Sequence, residues 1–422
     1  MRLRDDDGLP LRLRRLGVRV LARLNGDGCD WQCRLGDGDP PPAPEPDVTA
    51  YAASGTPIEV AGAVPRSVAW ERLPLTWNGS EFATVFHEAG DDGHTCRIRF
   101  RRFRTTGTAV PPDWTCGVAE SGPGTELVWT GSGYGLFYVA RDWGIFYLRL
   151  DPDGKPAGDP VLVEPDPTCL MPAADRSGDG FILGWFSSMG GGTCGDWGLP
   201  ASSSRVRFVG PGGETSGAPV VIEAFAGGPP EVATGDAGFG VLAYVNNSPE
   251  LPSCASRFIY LGPDLSVRNQ SGVLSDSPGG DVKWVDGRYA VAWGHCDTSA
   301  GGDSEACVAW FDETGEMIAP PVCNLVTPAM GTYPVRIAAG DRGLALVSYR
   351  ESESHLDESE FVFLRTDLRG VAIGSPAVLP TGADTPVGGA YNMVWADTGF
   401  GLVHGVGWAS PTMELQFFTA TD

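Results

Sequence analysis

The chain has 422 residues, 42% of them hydrophobic, with 59 glycines, 35 prolines and 13 tryptophans. That much apolar material fills a core, and so many turn formers exclude an architecture of long helices. A formal charge of −23 repels phosphate backbones and anionic lipid, which sets aside nucleic acid and acidic membrane surfaces and leaves glycans, peptides, proteins and cations as partners.

The first 48 residues read as an Arg-rich leader and a linker. Arg14, Arg15, Arg19 and Arg23 interrupt what a secretory signal would keep apolar. No uncharged apolar run reaches the roughly 18 residues of a membrane span. Cys29 is followed by a Pro/Asp/Gly-rich stretch, "GDGDPPPAPEPD", that cannot bury a core. A lipid-anchored cysteine followed by such a linker makes Cys29 a candidate acylation site, although "NGDGC" lacks the apolar residue expected three positions earlier. A plain disordered leader is the other reading. Residues 49–422 are expected to form the folded unit.

From residue 73 onward one pattern recurs, clearest in "ELVWTGSGYGLFYVARDWGIFYLRLDPDGKPAGDPVLVEPD", residues 126–166. It holds four short apolar or alternating runs, here termed a, b, c and d, separated by Gly, Ser and Asp turns. An aromatic residue or leucine opens run b at Phe82, Tyr134, Phe181, Phe239, Tyr289, Leu344 and Phe400. Seven positions before it stands an apolar residue in all seven copies: Leu75, Leu127, Ala174, Val232, Val282, Ile337 and Met393. Five before it stands Trp77, Trp129, Trp284 or Trp395 in four. Four short strands with their turns need about 45 to 50 residues, the period of a propeller blade. The expectation is therefore an all-β, seven-bladed β-propeller, whose blades bury their faces on one another.

The seventh copy has a, b and c ("NMVW", "FGLVHGV", "ELQFF") but no d, whereas "SGTPIEVAG", 54–62, precedes the first. It matches the d runs "AGDPVLV", "SGAPVVI" and "IGSPAVL", which place proline at a strand start, where its missing N–H does no harm. Ile58 and Val60 are thus expected to pair with the C-terminal strand, so that an N-terminal strand completes the last blade and closes the ring.

The grammar W-x-G-x-x-Y-x-V-x-W followed by I-x-x-x-x-L-D-x-x-G resembles that of the loosely defined propeller repeats of secreted and lipoprotein-type bacterial proteins, especially myxobacterial ones. The resemblance covers roughly residues 54–422 and implies a fold but no chemistry. The WD dipeptide, the kelch double glycine and the sialidase S-x-D-x-G-x-T-W box are missing.

Candidate sites follow from where the connectors lengthen. The b–c connectors run over about 187–204 in copy three, 246–257 in copy four and 294–306 in copy five, on the face that they share with the d–a connectors. His87, His94, His295, His355 and His404 lie in or beside them among acids, a set suited to a divalent metal or acid–base work as well as to a solvated surface. Trp143 and Trp197 are candidates for stacking on sugar rings. Eight residues before each landmark stand Pro74, Glu126, Ala173, Glu231, Asp281, Arg336 and Asn392. In a closed ring these converge at the channel mouth, where Glu126, Glu231, Asp281, Arg336 and Asn392 are candidates for binding a ligand or Ca²⁺. "DRSGDG", 175–180, resembles half a calcium loop but aligns with the other a–b turns.

Ten cysteines without a CxxC pair suit disulfides more than zinc. Cys296 with Cys307, Cys96 with Cys116, Cys307 with Cys323, and Cys194 with Cys254 are the candidate pairings. Taken together, the sequence points to a monomeric, non-catalytic binding protein of the cell envelope or extracellular space, presenting a glycan, peptide or protein ligand site on the b–c face. The alternative is a glycoside hydrolase or lyase that uses Glu126, Glu231 and Asp281 as its carboxylates.

Overall fold

The computed structural model describes residues 50–421 apart from the segments 54–56, 62–71, 90–94, 121–123, 141–143, 166–170, 189–201, 224–227, 246–254, 275–278, 296–304, 324–334, 341–342, 351–359, 380–385, 398 and 407–411. Two strands, β1 (Ala50–Ala53) and β2 (Ile58–Ala61), precede the first blade. That blade contains β3 (Thr76–Trp77), β4 (Phe82–Ala89), β5 (Thr95–Phe103) and β6 (Ala109–Glu120). The second contains β7 (Thr125–Trp129), β8 (Tyr134–Ala140), β9 (Gly144–Leu150) and β10 (Val161–Glu164), and the third β11 (Ala173–Ser177), β12 (Gly180–Ser188), β13 (Ser202–Val209) and β14 (Val220–Glu223). The fourth has β15 (Glu231–Thr234), β16 (Phe239–Val245), β17 (Ala255–Leu261) and β18 (Val267–Gln270), and the fifth β19 (Gly280–Val285), β20 (Arg288–His295) and β21 (Glu305–Phe311). The sixth has β22 (Arg336–Gly340), β23 (Gly343–Arg350), β24 (Glu360–Thr366) and β25 (Ala372–Leu379), and the seventh β26 (Pro386–Ala396), β27 (Gly399–Val406) and β28 (Thr412–Thr421). All strand pairings within the seven sheets are antiparallel.

The sheets form a circle, because each inner strand lies against the next: β3 on β7, β7 on β11, β11 on β15, β15 on β19, β19 on β22, β22 on β26, and β26 back on β3. The seven-bladed propeller read from the repeat is thus the fold. Its landmark residues are the reason the blades stack. Trp77, Trp129, Trp284 and Trp395 each sit directly opposite the landmark aromatic across the a–b hairpin. Three of these pairs bring ring centroids to 4.7, 4.8 and 4.5 Å, a geometry worth about 0.5–1.5 kcal/mol each beyond area burial. The apolar column seven residues upstream is buried in every blade, from Ile337 at 0% to Ala174 at 8% exposed.

Adjacent blades are also keyed by glycines in the c–d turns. A Cβ on Gly154 would overlap the Phe100 ring of the preceding blade, on Gly213 it would meet Tyr147 and Val161, on Gly315 Tyr260, and on Gly370 Trp310. These glycines hold φ between 79° and 88°, a region that residues bearing a Cβ enter only at a cost.

The ring closes as expected and then further. β2 pairs β28 through Ile58 with Leu415 and Glu59 with Glu414, leaving Val60 in a register shift. The preceding strand β1 also pairs β28, from Ala50 opposite Thr421 to Ala53 opposite Phe418, so two short strands line one edge end to end. The first blade grips this seam: Gly107 of its c–d turn stands against Ile58, and Arg101 donates to the carbonyl of Val60 while paired with Asp113 at 2.6 Å.

The fifth blade departs from the pattern. Its d segment carries Pro320 and Pro321, which cannot donate to a ladder, and among the described residues the chain after β21 is held by isolated bridges, Phe311 to Met317 at the turn and Val308 to Val322 beyond it. A Cys307–Cys323 disulfide beside the second bridge supplies the missing attachment. Its formation excludes the alternative Cys296–Cys307 pairing. Cys116 is a buried free thiol, so the Cys96–Cys116 pairing is not made. In the ladder Cys96 opposes Ala119, and a bulge turns Cys116 towards the carbonyl of Gly154 in the next blade. Cys194 and Cys254 lie outside the described residues.

Candidate functional site

The inner strands start on the face of the b–c and d–a connectors, and the polar column lies there. Glu126, Glu231, Asp281, Arg336 and Asn392 are between 0% and 5% exposed. Buried charges persist only when paired or hydrogen-bonded. Glu231 is gripped from both sides: Arg336 of the sixth blade binds Oε1, and Arg72 Nη1 lies 2.6 Å from Oε2. The same Arg72 nitrogen reaches Glu126 Oε2 at 3.6 Å. Arg336 also donates to the carbonyl of Gly280 at 3.2 Å. Four blades and the segment leading into the first are thereby tied at the axis. The four predicted charged residues are brought together, with Arg72 as the added centre.

Asp281 ties two strands. Its Oδ1 accepts from the N–H of Val282 at 2.9 Å and lies 3.1 Å from Lys283 Nζ, while Oδ2 accepts from the N–H of Ile337 in the next blade at 3.0 Å. Asp175 repeats the device, taking the N–H of Arg176 at 2.8 Å and that of Thr234, across the blade boundary, at 2.7 Å. An inner strand has an open hydrogen-bonding edge facing the axis, and these carboxylates satisfy it. Asn392 accepts from Met393 N–H at 2.8 Å, and its buried Nδ2 has no partner among the described residues.

The electrostatics separate the acids. Burial pushes Glu126 up to about 7; Arg72 opposes that shift, and the neighbouring Glu231 reinforces it. Burial also raises Asp175, against the N–H of Thr234. Asp281 is pushed up by burial as well, yet Lys283, Arg72 and Arg336 outweigh this and leave it below the usual carboxylate range. Both arginines lose hydration and gain more from the acids around them, so their charge is fixed.

Arg72, Lys283 and Asp175 were not candidates from sequence. Arg72 stands two residues before Pro74, the position at which the first copy has no polar side chain, and that local gap is the only signal for it. Lys283 and Asp175 sit one turn of the pleat further along their strands, on the same face as the polar column. Asp175 belongs to "DRSGDG", whose remainder forms the a–b turn as expected.

The arrangement fits a structural clasp better than a calcium cage, since a hard cation needs several oxygens free to converge and those of Glu231 and Asp281 are committed. Among the described residues no three His, Cys, Asp or Glu side chains are grouped as metal ligands. The histidines divide. His87 and His404 are core residues of β4 and β27, 4% and 0% exposed, and burial takes each down to about 4. That corrects their assignment to a solvated or metal-binding set. His295 ends β20, and His94 and His355, like Trp143 and Trp197, lie outside the described residues.

No family model matches the chain, and no curated protein matches it. Among solved structures, the polysaccharide lyase Uly1 is similar over 89% of this chain and 100% of its own, at 9% identity and a TM-score of 0.48. A protein of unknown function from Dyadobacter fermentans is similar over 86% and 99%, at 11% identity and a TM-score of 0.46. A neuraminidase-like protein from a flat-faced bat isolate is similar over 88% and 94%, at 10% identity and a TM-score of 0.41. Likeness this distant assigns no activity to the chain.

Proposed function

We propose that the protein is a non-catalytic binding module of the cell envelope or extracellular space, which presents a glycan, peptide or protein site on the face carrying the b–c connectors. The observation that carries this reading is the state of the axial acids. Glu231 is paired with two arginines, and Asp281 is held by two main-chain N–H groups and Lys283. Both are spent on holding blades together, whereas a glycosidic pair needs two carboxyls about 5 to 9.5 Å apart across an open cleft. The disulfide of the fifth blade supports an oxidising compartment.

A glycan and peptide array probed with the purified protein tests this, followed by incubation of each hit and analysis of the products. Binding without cleavage is the expected result. Cleavage of a bound glycan that is lost in Glu126→Gln would replace this reading with the second one, a carbohydrate-active enzyme. The loosely held Glu126, with its carboxyl near neutrality, is the observation that favours that alternative.

A further inference from the structure

A cleft of about 530 Å³ opens between the second and third blades on the opposite face, the one carrying the a–b and c–d turns. Its volume lies in the range of small-molecule sites. At its floor Tyr147 and Phe181 approach to 5.4 Å between ring centroids, and the Tyr147 hydroxyl donates to the carbonyl of Pro211 in the third blade at 3.0 Å. The floor is therefore shared by two blades and fixed.

Two exposed guanidinium groups line the cleft, one from each blade. Arg149 is steadied by a hydrogen bond from Nη2 to the carbonyl of Ala157 at 3.2 Å, and Arg176 by one from Nε to that of Gly178 at 3.2 Å. Arg176 also reaches back over the second blade's a–b turn. A Cβ on Gly131, at φ 90°, would sit 2.9 Å from its Nη1, so the glycine makes room for the guanidinium. Ser132 and Asp179 flank the arginines. Asp151 also lines the cleft, but its Oδ1 is occupied by the N–H groups of Asp153 and Lys155 at 3.0 and 2.9 Å.

Anchored guanidinium groups with further N–H donors recognise carboxylates in a planar, directional way. Two arginines against two aspartates leave the cleft near neutral, and the molecule as a whole carries −23, which disfavours densely charged phosphate polymers and favours a ligand with one carboxylate per sugar unit. A ligand with an isolated carboxylate and several hydroxyls fits: the carboxylate between the arginines, the hydroxyls on Ser132 and Asp179. We infer that this cleft binds a sugar acid, either free or as a unit of an acidic glycan. The site is independent of the b–c face and of its proposed role.

Calorimetric titration with galacturonate and with its linear trimer, against galactose as the neutral control, tests the inference. Saturable binding of an acidic sugar, with no binding of galactose, is expected, and Arg149→Gln and Arg176→Gln should each weaken it about tenfold. Arg369→Gln, on an exposed arginine of the sixth blade's c–d turn, should leave it unchanged. Both cleft substitutions are at exposed positions, so an unchanged melting temperature separates loss of binding from loss of fold. Tighter binding of the trimer indicates a glycan, and equal binding the free acid. Equal affinity for galactose, unchanged affinity in both cleft variants, or no saturation by either acid at 20-fold excess over about 1 mM protein would overturn the proposal.

Discussion

Replacing Gly154 with alanine tests how the blades are keyed. The residue holds φ 83°, and an alanine there costs roughly 1 kcal/mol in backbone strain. Its Cβ would also overlap the ring of Phe100, which is 0% exposed and packed edge-on against Tyr134 at 5.0 Å. A buried ring so enclosed cannot swing aside, and overpacking of this kind adds roughly 1–3 kcal/mol. The expected loss is therefore about 3 kcal/mol. Gly79 is the control, because it has φ 96° and nothing within 4 Å of its would-be Cβ, so Gly79→Ala should cost only the backbone share of about 1 kcal/mol. Urea unfolding followed by tryptophan fluorescence gives both midpoints. If the two variants shift the midpoint equally, the contact between the c–d turn and the preceding blade contributes nothing, and the account of blade keying fails.

Arg336→Leu removes one of the two arginines on Glu231 and leaves that acid half-compensated, so stability should fall by about 3 kcal/mol in the same unfolding assay. The double variant Cys307→Ser, Cys323→Ser opens a loop of sequence separation 16 and should lose about 3 kcal/mol in the same assay. The acid limb of the stability curve should carry His404: its folded value of about 4 lies below the ordinary 6.5, so the unfolded chain binds the proton first. Stability is full above 6.5 and falls towards pH 4 by up to about 3 kcal/mol, and His404→Leu should flatten that limb by this amount. Glu126 runs the other way, from 4.5 up to about 7. Stability falls as pH rises through that window, and Glu126→Gln should remove the fall, as read from midpoints at pH 4.5, 6 and 8.

The blade count and the closing strand were legible because both rest on local signals. The tryptophan and the aromatic that meet across four of the a–b hairpins stand five residues apart, and proline marks the start of the d strands at 160 and 219 as it does at 57. The polar column at the axis could be read from the same register. What completes the axial cluster could not. Arg72 lies outside any strand and reaches Glu231 from 159 positions away, a distance that no periodicity spans. The disulfide partner of Cys307 was equally hidden, since two strand ends offered themselves and only the proline-broken edge of the fifth blade decides between them. Three of the keying glycines, Gly154, Gly315 and Gly370, recur in D-x-x-G turns, but their reason is the aromatic side chain of a neighbouring blade, and a single copy does not contain it.

The seam on β28 has a mechanical consequence. Ala50 sits opposite Thr421 in an antiparallel pair, so tension between these two residues does not shear the sheet but peels it, parting one hydrogen bond after another. A propeller tethered at residue 50 and loaded at residue 421 therefore opens at low force and at one place, while the six other sheets stay folded.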